Sequence, residues 1–260
     1  MQLSASGSST SGHTCGLASD GRVWCWGGNE LGQASPGGGP KQLTPAAVAG
    51  IKGASQVATG HGATCAVQQG VPHCWGSIPN DAGATLVKRP TAVAGVDHVV
   101  ELGFGAATIC ARRDDGSVIC WGKRRSPGLH VVALGGKARA ISVGAYGAAA
   151  ILEDGRVSEW WIEQDDAPTK VELAGPAKLS CSGSHCCALG KTGAVSCWGG
   201  NQNGQLGNPA QGAGGGASAP CRCCCSGRIT DPCPRVESRC DRDVAVCEPL
   251  SGQRTSRSRK

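Results

Sequence analysis

Apolar side chains along this chain come in short runs, alternating with small or polar residues at a period of two. Cys15, Leu17, Val23 and Cys25 fall on one face of two such runs, and Cys187, Leu189, Val195 and Cys197 repeat the arrangement. That period predicts strands, and the residues between the runs predict hairpins. Asp20-Gly21, Asp115-Gly116 and Asp154-Gly155 separate paired runs, with Gly193 at the same place in the last pair. Glycine there accepts φ > 0 without a Cβ clash, as a tight hairpin turn requires. Ahead of the hairpins, Gln56–Thr59, Val99–Leu102 and Ala140–Val143 each predict a further strand, closed by Gly60, by Gly103 or Gly105, and by Gly144.

The unit repeats. Aligned on Trp-Gly dipeptides, the copies run Cys15–Gly27, Cys65–Gly76, Cys110–Gly122, a degraded Ala149–Trp161, and Cys187–Gly199. A second landmark, Val48-Ala49-Gly50, Val93-Ala94-Gly95, Ala133-Leu134-Gly135 and Leu173-Ala174-Gly175, precedes the last four. The distance from landmark to Trp is nearly constant, and the distance from Trp to the next landmark varies. Repeated supersecondary units joined by surface loops have that signature. Three or four short strands per ~40–45 residues, repeated in series, predict an all-β propeller with five recognisable blades.

Composition agrees. Only 17% of residues are charged, Gly numbers 42, and Trp numbers 7 against one Tyr and one Phe. Helical bundles are disfavoured, and no run of about 18 apolar residues offers a membrane-spanning helix. The formal charge of +6 is uneven: residues 209–260 carry most of it, and the near-neutral body gives no electrostatic footprint for nucleic acid. The expected domains are a propeller over 1–208, a Gly/Ala/Pro linker over 209–220, and a Cys/Arg-rich tail over 221–260, expected to be disordered or mistranslated. Neither a basic region nor an apolar core marks Met1–Gly7 as a secretory signal.

Three motifs taken together resemble the RCC1 (regulator of chromosome condensation) repeat, in its Cys-containing bacterial form. They are Gly-X-X-X-Thr-Cys-Ala-Leu, Asp-Gly-X-Val-X-Cys-Trp-Gly and Gly-X-Asn-X-X-Gly-Gln-Leu-Gly. Gly28–Gln33 and Gly200–Gly207 match the last of these closely, whereas copies two to four have Ser77-Ile78-Pro79, Lys123-Arg124-Arg125 and Ile162-Glu163-Gln164 instead. The resemblance covers about residues 10–208 and implies a propeller, usually of seven blades. Five copies either close a small ring or form a partial one, and the partial ring is favoured. The resemblance implies a non-catalytic scaffold for an unknown protein partner, with guanine-nucleotide exchange on a small GTPase as an alternative; exposed Trp residues offer carbohydrate binding as another.

Eight of the 17 cysteines form motif pairs flanking the turns: Cys15/Cys25, Cys65/Cys74, Cys110/Cys120 and Cys187/Cys197. The fourth copy loses both, having Ala149 and Glu159. Joint loss suggests that the two serve each other, and opposed cross-strand cysteines lie close enough to bridge. Buried free thiols are the alternative, and zinc is disfavoured because each hairpin offers two ligands where four are usual. Bridges imply an extracellular or envelope location; free thiols imply the cytoplasm. Cys181 and Cys186 either pair or stay free.

No catalytic constellation, cofactor motif or metal set emerges. His13 and His185 share one repeat position and read as structural. Trp26, Trp75, Trp121, Trp160 and Trp198 recur once per unit and read as blade packing, as do the turn glycines Gly21, Gly116, Gly155 and Gly193. Trp24 and Trp161 fall outside that register and are candidates for an exposed aromatic contact. Asp114/Asp115 and Asp165/Asp166 read as surface doublets, and Lys88-Arg89 with Lys123–Arg125 as solvated connections with a small basic patch as the alternative.

Overall fold

The structure, a computed structural model, describes residues 1–7, 12–122, 128–162, 167–173, 175–207 and 221–222. The described residues hold twenty strands in five antiparallel sheets of four, and no helix. The first sheet comprises β1 (Gln2–Ser6), β2 (His13–Leu17), β3 (Val23–Gly28) and β4 (Lys41–Ala47). The second comprises β5 (Ala54–Gly60), β6 (Ala63–Gln68), β7 (Val71–Asn80) and β8 (Gly83–Ala92). The third has β9 (Val99–Phe104), β10 (Thr108–Arg113), β11 (Val118–Gly122) and β12 (His130–Val131), and the fourth β13 (Ala138–Val143), β14 (Gly147–Leu152), β15 (Val157–Trp161) and β16 (Thr169–Val171). The fifth has β17 (Pro176–Ser182), β18 (His185–Gly190), β19 (Val195–Gly199) and β20 (Cys221–Arg222).

Strand order follows chain order in every sheet, so each is a simple meander. Sheets stack through their first strands: β1 on β5, β5 on β9, β9 on β13, and β13 on β17. These first strands are therefore innermost, and the arrangement is a propeller arc. No comparable packing joins the fifth blade to the first among the described residues. Among the described residues the arc is open between them.

The outer strands were not legible in the sequence. β4, β8, β12 and β16 lie in the stretches of variable length between Trp and landmark. β8 is the largest case: Lys88 and Arg89 belong to this ten-residue strand rather than to a connection. Asp165, Asp166 and Lys123–Arg125 lie outside the described residues, as do residues 209–220 and 223–260. Cys221 and Arg222, expected at the start of the tail, pair with β19 as the outer strand of the fifth blade.

Each landmark glycine holds a positive φ (Gly50 87°, Gly95 76°, Gly135 70°, Gly175 56°), turning the chain from one blade into the next. The glycine of each Trp-Gly dipeptide has a tighter constraint. Gly76 has φ +88°, and a Cβ on it would stand 2.4 Å from the Gly62 carbonyl oxygen. Gly27, Gly122 and Gly199 meet the equivalent carbonyls at 2.5–2.6 Å. Replacing Gly76 by Ala is expected to cost about 2–3 kcal/mol, combining left-handed strain with a backbone clash. Gly155→Ala, where the φ is also positive but no atom lies within 4 Å, should cost about 1 kcal/mol. Urea denaturation of the two variants checks the ordering.

Candidate functional site: the blade seams and the loop face

Between successive blades lie four apolar seams, and each is built the same way. The Cys15/Cys25 face of blade one packs with Val57, Ala66 and Trp75 of blade two. Cys65 and Cys74 pack with Trp121 of blade three, and Cys110 and Cys120 with Trp160 of blade four. In the fourth seam Ala149 stands where the cysteine was, packed with Trp198. Trp75, Trp121, Trp160 and Trp198 are at most 6% exposed. Trp26, with no described blade before it, is half-buried.

The motif cysteines are cross-strand partners in register, Cys15 with Cys25, Cys65 with Cys74, Cys110 with Cys120 and Cys187 with Cys197. Their sulfurs are at disulfide distance, and so are those of Cys181 and Cys186. Cys186 and Cys187 are adjacent, so they point to opposite faces of β18, which lets each meet a different partner. Closing loops of this size adds about 2–3 kcal/mol per bridge on a chain-entropy view. Among the described residues no group of three His, Cys, Asp or Glu could hold a metal.

The first seam carries a polar network as well. The Trp75 indole donates to the Gln33 carbonyl at 2.8 Å, and the Thr64 hydroxyl donates to the same oxygen at 2.8 Å. With its proton so committed, Thr64 accepts from His13 Nε2 at 2.8 Å, which assigns the Nε2–H tautomer. His13 Nδ1 is buried without a partner. Burial holds the His13 pKa down at about 4. Sequence reasoning placed His13 as structural by repeat position; the network explains why it must be neutral. Gln33 is held by the loop it ends: Asn29 Oδ1 accepts from the amides of Ala34 and Ser35, and Gln33 Oε1 accepts from the Leu31 amide.

In the fourth seam Glu159 substitutes for a motif cysteine and accepts from the Trp198 indole. Burial raises its pKa, and the indole N–H offsets part of that rise. Glu159, Trp161, Ser184, Cys186 and Trp198 line a small cleft there. Trp161, which takes the Gly position of the Trp-Gly dipeptide, is 44% exposed at its rim. Trp24 is half-buried, with the Arg22 guanidinium 5.5 Å over its ring.

The two rims of the arc differ. On one rim lie the β2–β3 type turns, where Gly21, Gly116, Gly155 and Gly193 all have positive φ. Asp20 and Asp154 accept there from the backbone and side chain of Arg22 and Arg156, which lowers both carboxyl pKa values; Ser117 does the same for Asp115. On the other rim lie the β3–β4 type connections of variable length, and with them the exposed Leu31, Tyr146 and Trp161.

Residues 5–33 and 177–205 match the sequence profile of the regulator of chromosome condensation (RCC1) repeat. These are the first and fifth blades. No curated protein matches the chain in sequence. In structure the chain is similar to the yeast RCC1 protein Prp20 bound to Kap60, with 20% identity and a TM-score of 0.61 over 72% of this chain and 54% of that one. It is also similar to human WBSCR16, at 18% identity and a TM-score of 0.60 over 73% and 60%. The ectodomain of the receptor kinase CR4 from Physcomitrella patens matches at 20% identity and 0.52, over 76% and 53%. The chain thus spans little more than half the length of these structures, and shares with them the RCC1-type propeller fold.

Two pH-dependent outcomes follow from the seams. His13 is neutral in the folded state, so its contribution to stability is complete above pH 6.5 and is lost as pH falls from 6.5 towards 4. That loss is on the order of 3 kcal/mol, from a pKa lowered from 6.5 to about 4. His13→Gln should remove this slope, measured as the difference between the two unfolding curves at pH 7 and pH 4.5. Glu159 has the opposite sign: its raised pKa means that stability rises as pH falls through its titration. Glu159→Gln keeps an acceptor for Trp198 and should be more stable at neutral pH, with no further gain on acidification. Thermal melts at pH 7 read that difference directly.

Proposed function

We propose that the chain is a non-catalytic scaffold that binds a protein partner through the rim bearing its variable connections. The observation that supports this reading is the segregation of the two rims. One is tight and charged; the other carries exposed apolar side chains, Leu31 in the β3–β4 connection, Tyr146 in the β13–β14 connection and Trp161 at the end of β15. Exposed apolar side chains set among polar ones are what a protein interface uses as anchors. Blades stapled by cysteine pairs and seams filled by indoles hold such loops rigidly side by side, which lowers the entropy cost of binding. Of the similar structures, Prp20 is described as binding Gsp1p and histones. Partner binding through this rim is proposed here by analogy with that behaviour.

Bridged cysteines favour an oxidising compartment and the cysteine-bearing bacterial form of the repeat. Sugar binding is a second reading, favoured by Trp161 at the rim of a cleft that holds Glu159 and Ser184.

The test is affinity capture with the full chain, non-reduced, against Trp161→Ala with Tyr146→Ala, and separately against Arg22→Ala with Arg156→Ala. The first pair should lose a captured protein at least tenfold; the second should retain it. Retention by both, or capture of glycans lost with Trp161→Ala, would set the proposal aside. Acceleration of nucleotide release from an added small GTPase would do the same in favour of exchange.

A further inference from the structure

Blade four departs from the repeat at three positions, and the three meet at one place. In blades one, two, three and five the residue after the repeat Trp is glycine, paired in register with His13, Ala63, Thr108 or His185. In blade four the exchange is reversed, and Trp161 stands opposite Gly147, a large side chain beside a residue that has none. The third departure is Glu159, at a cysteine position and opposite Ala149. Glu159 and Trp161 are two apart on β15, so they share the face turned towards blade five. From blade five come Trp198 on β19 and Cys186 on β18, with Ser184 in the turn before it. Together these side chains line the small cleft at the mouth of the fourth seam.

The cleft holds a carboxylate with no described cation against it. Glu159 Oε2 accepts from the Trp198 indole. Among the described residues the other oxygen takes no hydrogen bond, and no Lys, Arg or His forms an ion pair with Glu159. Lys170 adjoins Thr169, the residue opposite Glu159, but it is paired with Glu172. A half-buried carboxylate left in that state is costly, and burial raises the Glu159 pKa accordingly. Indole faces carry negative potential, and the exposed Trp161 brings one to the same cleft. An ammonium ion answers both features, pairing with the free oxygen and resting on an aromatic face. A sugar ring needs several directed hydrogen-bond groups, and Ser184 with one carboxylate oxygen is a poor supply.

We propose that this cleft is a binding site for an alkylammonium group, the side-chain ammonium of a lysine, free or methylated, carried by a protein partner. The ammonium pairs with the Glu159 carboxylate against the Trp161 ring. A lysine suits the position because its long apolar stem lets the charge enter the seam while the partner's backbone stays on the rim. The lysine source rests on the partner-binding reading above; the ammonium site does not.

The test follows the indole N–H resonances of the full, non-reduced, isotope-labelled chain by NMR. The probes are Nα-acetyl-lysine methylamide, its Nε-trimethyl form and its neutral Nε-acetyl form. The two charged probes should shift the Trp198 and Trp161 resonances to saturation, and the Nε-acetyl probe should not. Glu159→Gln, which should fold at least as stably as the parent, is expected to weaken both charged probes about tenfold, and Trp161→Ala to weaken the trimethyl probe most. Trp24→Ala should leave the affinities unchanged. Equal responses to the charged and the acetylated probes overturn the proposal, as does unchanged affinity in Glu159→Gln. So does methyl glucoside shifting these resonances where the lysine probes do not. Choline binding more tightly than every lysine probe overturns the lysine assignment in favour of a free amine. If the Trp161→Ala, Tyr146→Ala chain keeps its captured protein while the lysine probes still bind the parent, the rim reading falls and the ammonium site stands. Lost capture with no probe response is the reverse, and removes the site alone.

Discussion

Everything in this arc rests on an indole lying across a pair of cross-strand cysteines. A four-stranded sheet of short strands cannot bury enough surface to stand alone. Here each sheet offers the flat side of a cysteine pair to the next sheet and its own Trp to the previous one. Trp75, Trp121 and Trp160 are each enclosed by that contact, Trp198 by the Ala149–Glu159 pair that replaces it, and the apolar clusters that fill the molecule are these contacts with their neighbours added. The cysteine pair stiffens the hairpin beneath the ring, so the surface that receives the Trp is flat. The glycine after Trp26, Trp75, Trp121 and Trp198 lets the strand pass hard against the loop ahead of β2, β6, β10 or β18, where any Cβ would collide.

The departures from the rule are informative. Blade four has neither cysteine, and its Glu159 turns the following indole into a hydrogen-bond donor instead of a lid over sulfur. Trp121 and Trp160 follow blades without the Asn-X-X-Gly-Gln loop, and their indole nitrogens are buried without a partner. Trp75 follows a blade that has the loop, and its nitrogen is satisfied by Gln33. The loop thus supplies an acceptor as well as a turn. Seams two and three are held by apolar contact with an unpaid polar atom in each.

How much of this the sequence disclosed follows from where the signal is periodic. The hairpins, their turns and the enclosed Trp positions recur in every copy, so alternation and alignment within the chain reveal them. Joint loss in copy four points to the motif cysteine partners, whereas the Cys181–Cys186 contact, left open by the sequence, appears only once β17 is seen to pair with β18. The outer strands do not recur in sequence: β4, β8, β12 and β16 share neither length nor pattern, because one face and one edge of each meet solvent. The roles of Thr64 and Gln33 were also hidden. Each is an ordinary polar residue until a carbonyl from one blade and a hydroxyl from the next are seen to converge, 31 residues apart in the chain. Glu159 looked like a mere loss of cysteine, and only burial against Trp198 gives it a part in the seam.

Among the described residues the cysteine contacts are all short in sequence, spanning five to ten residues, and none crosses from one blade to another. Correct pairing is therefore decided within a hairpin. A nascent chain can oxidise each blade soon after it emerges, when the only competing thiols belong to blades already closed. Contacts that span many blades would have required the whole arc to be present before any pairing was certain. Ten cysteines in five pairs would ordinarily invite scrambling. Local closure removes most of the wrong choices before they can be made.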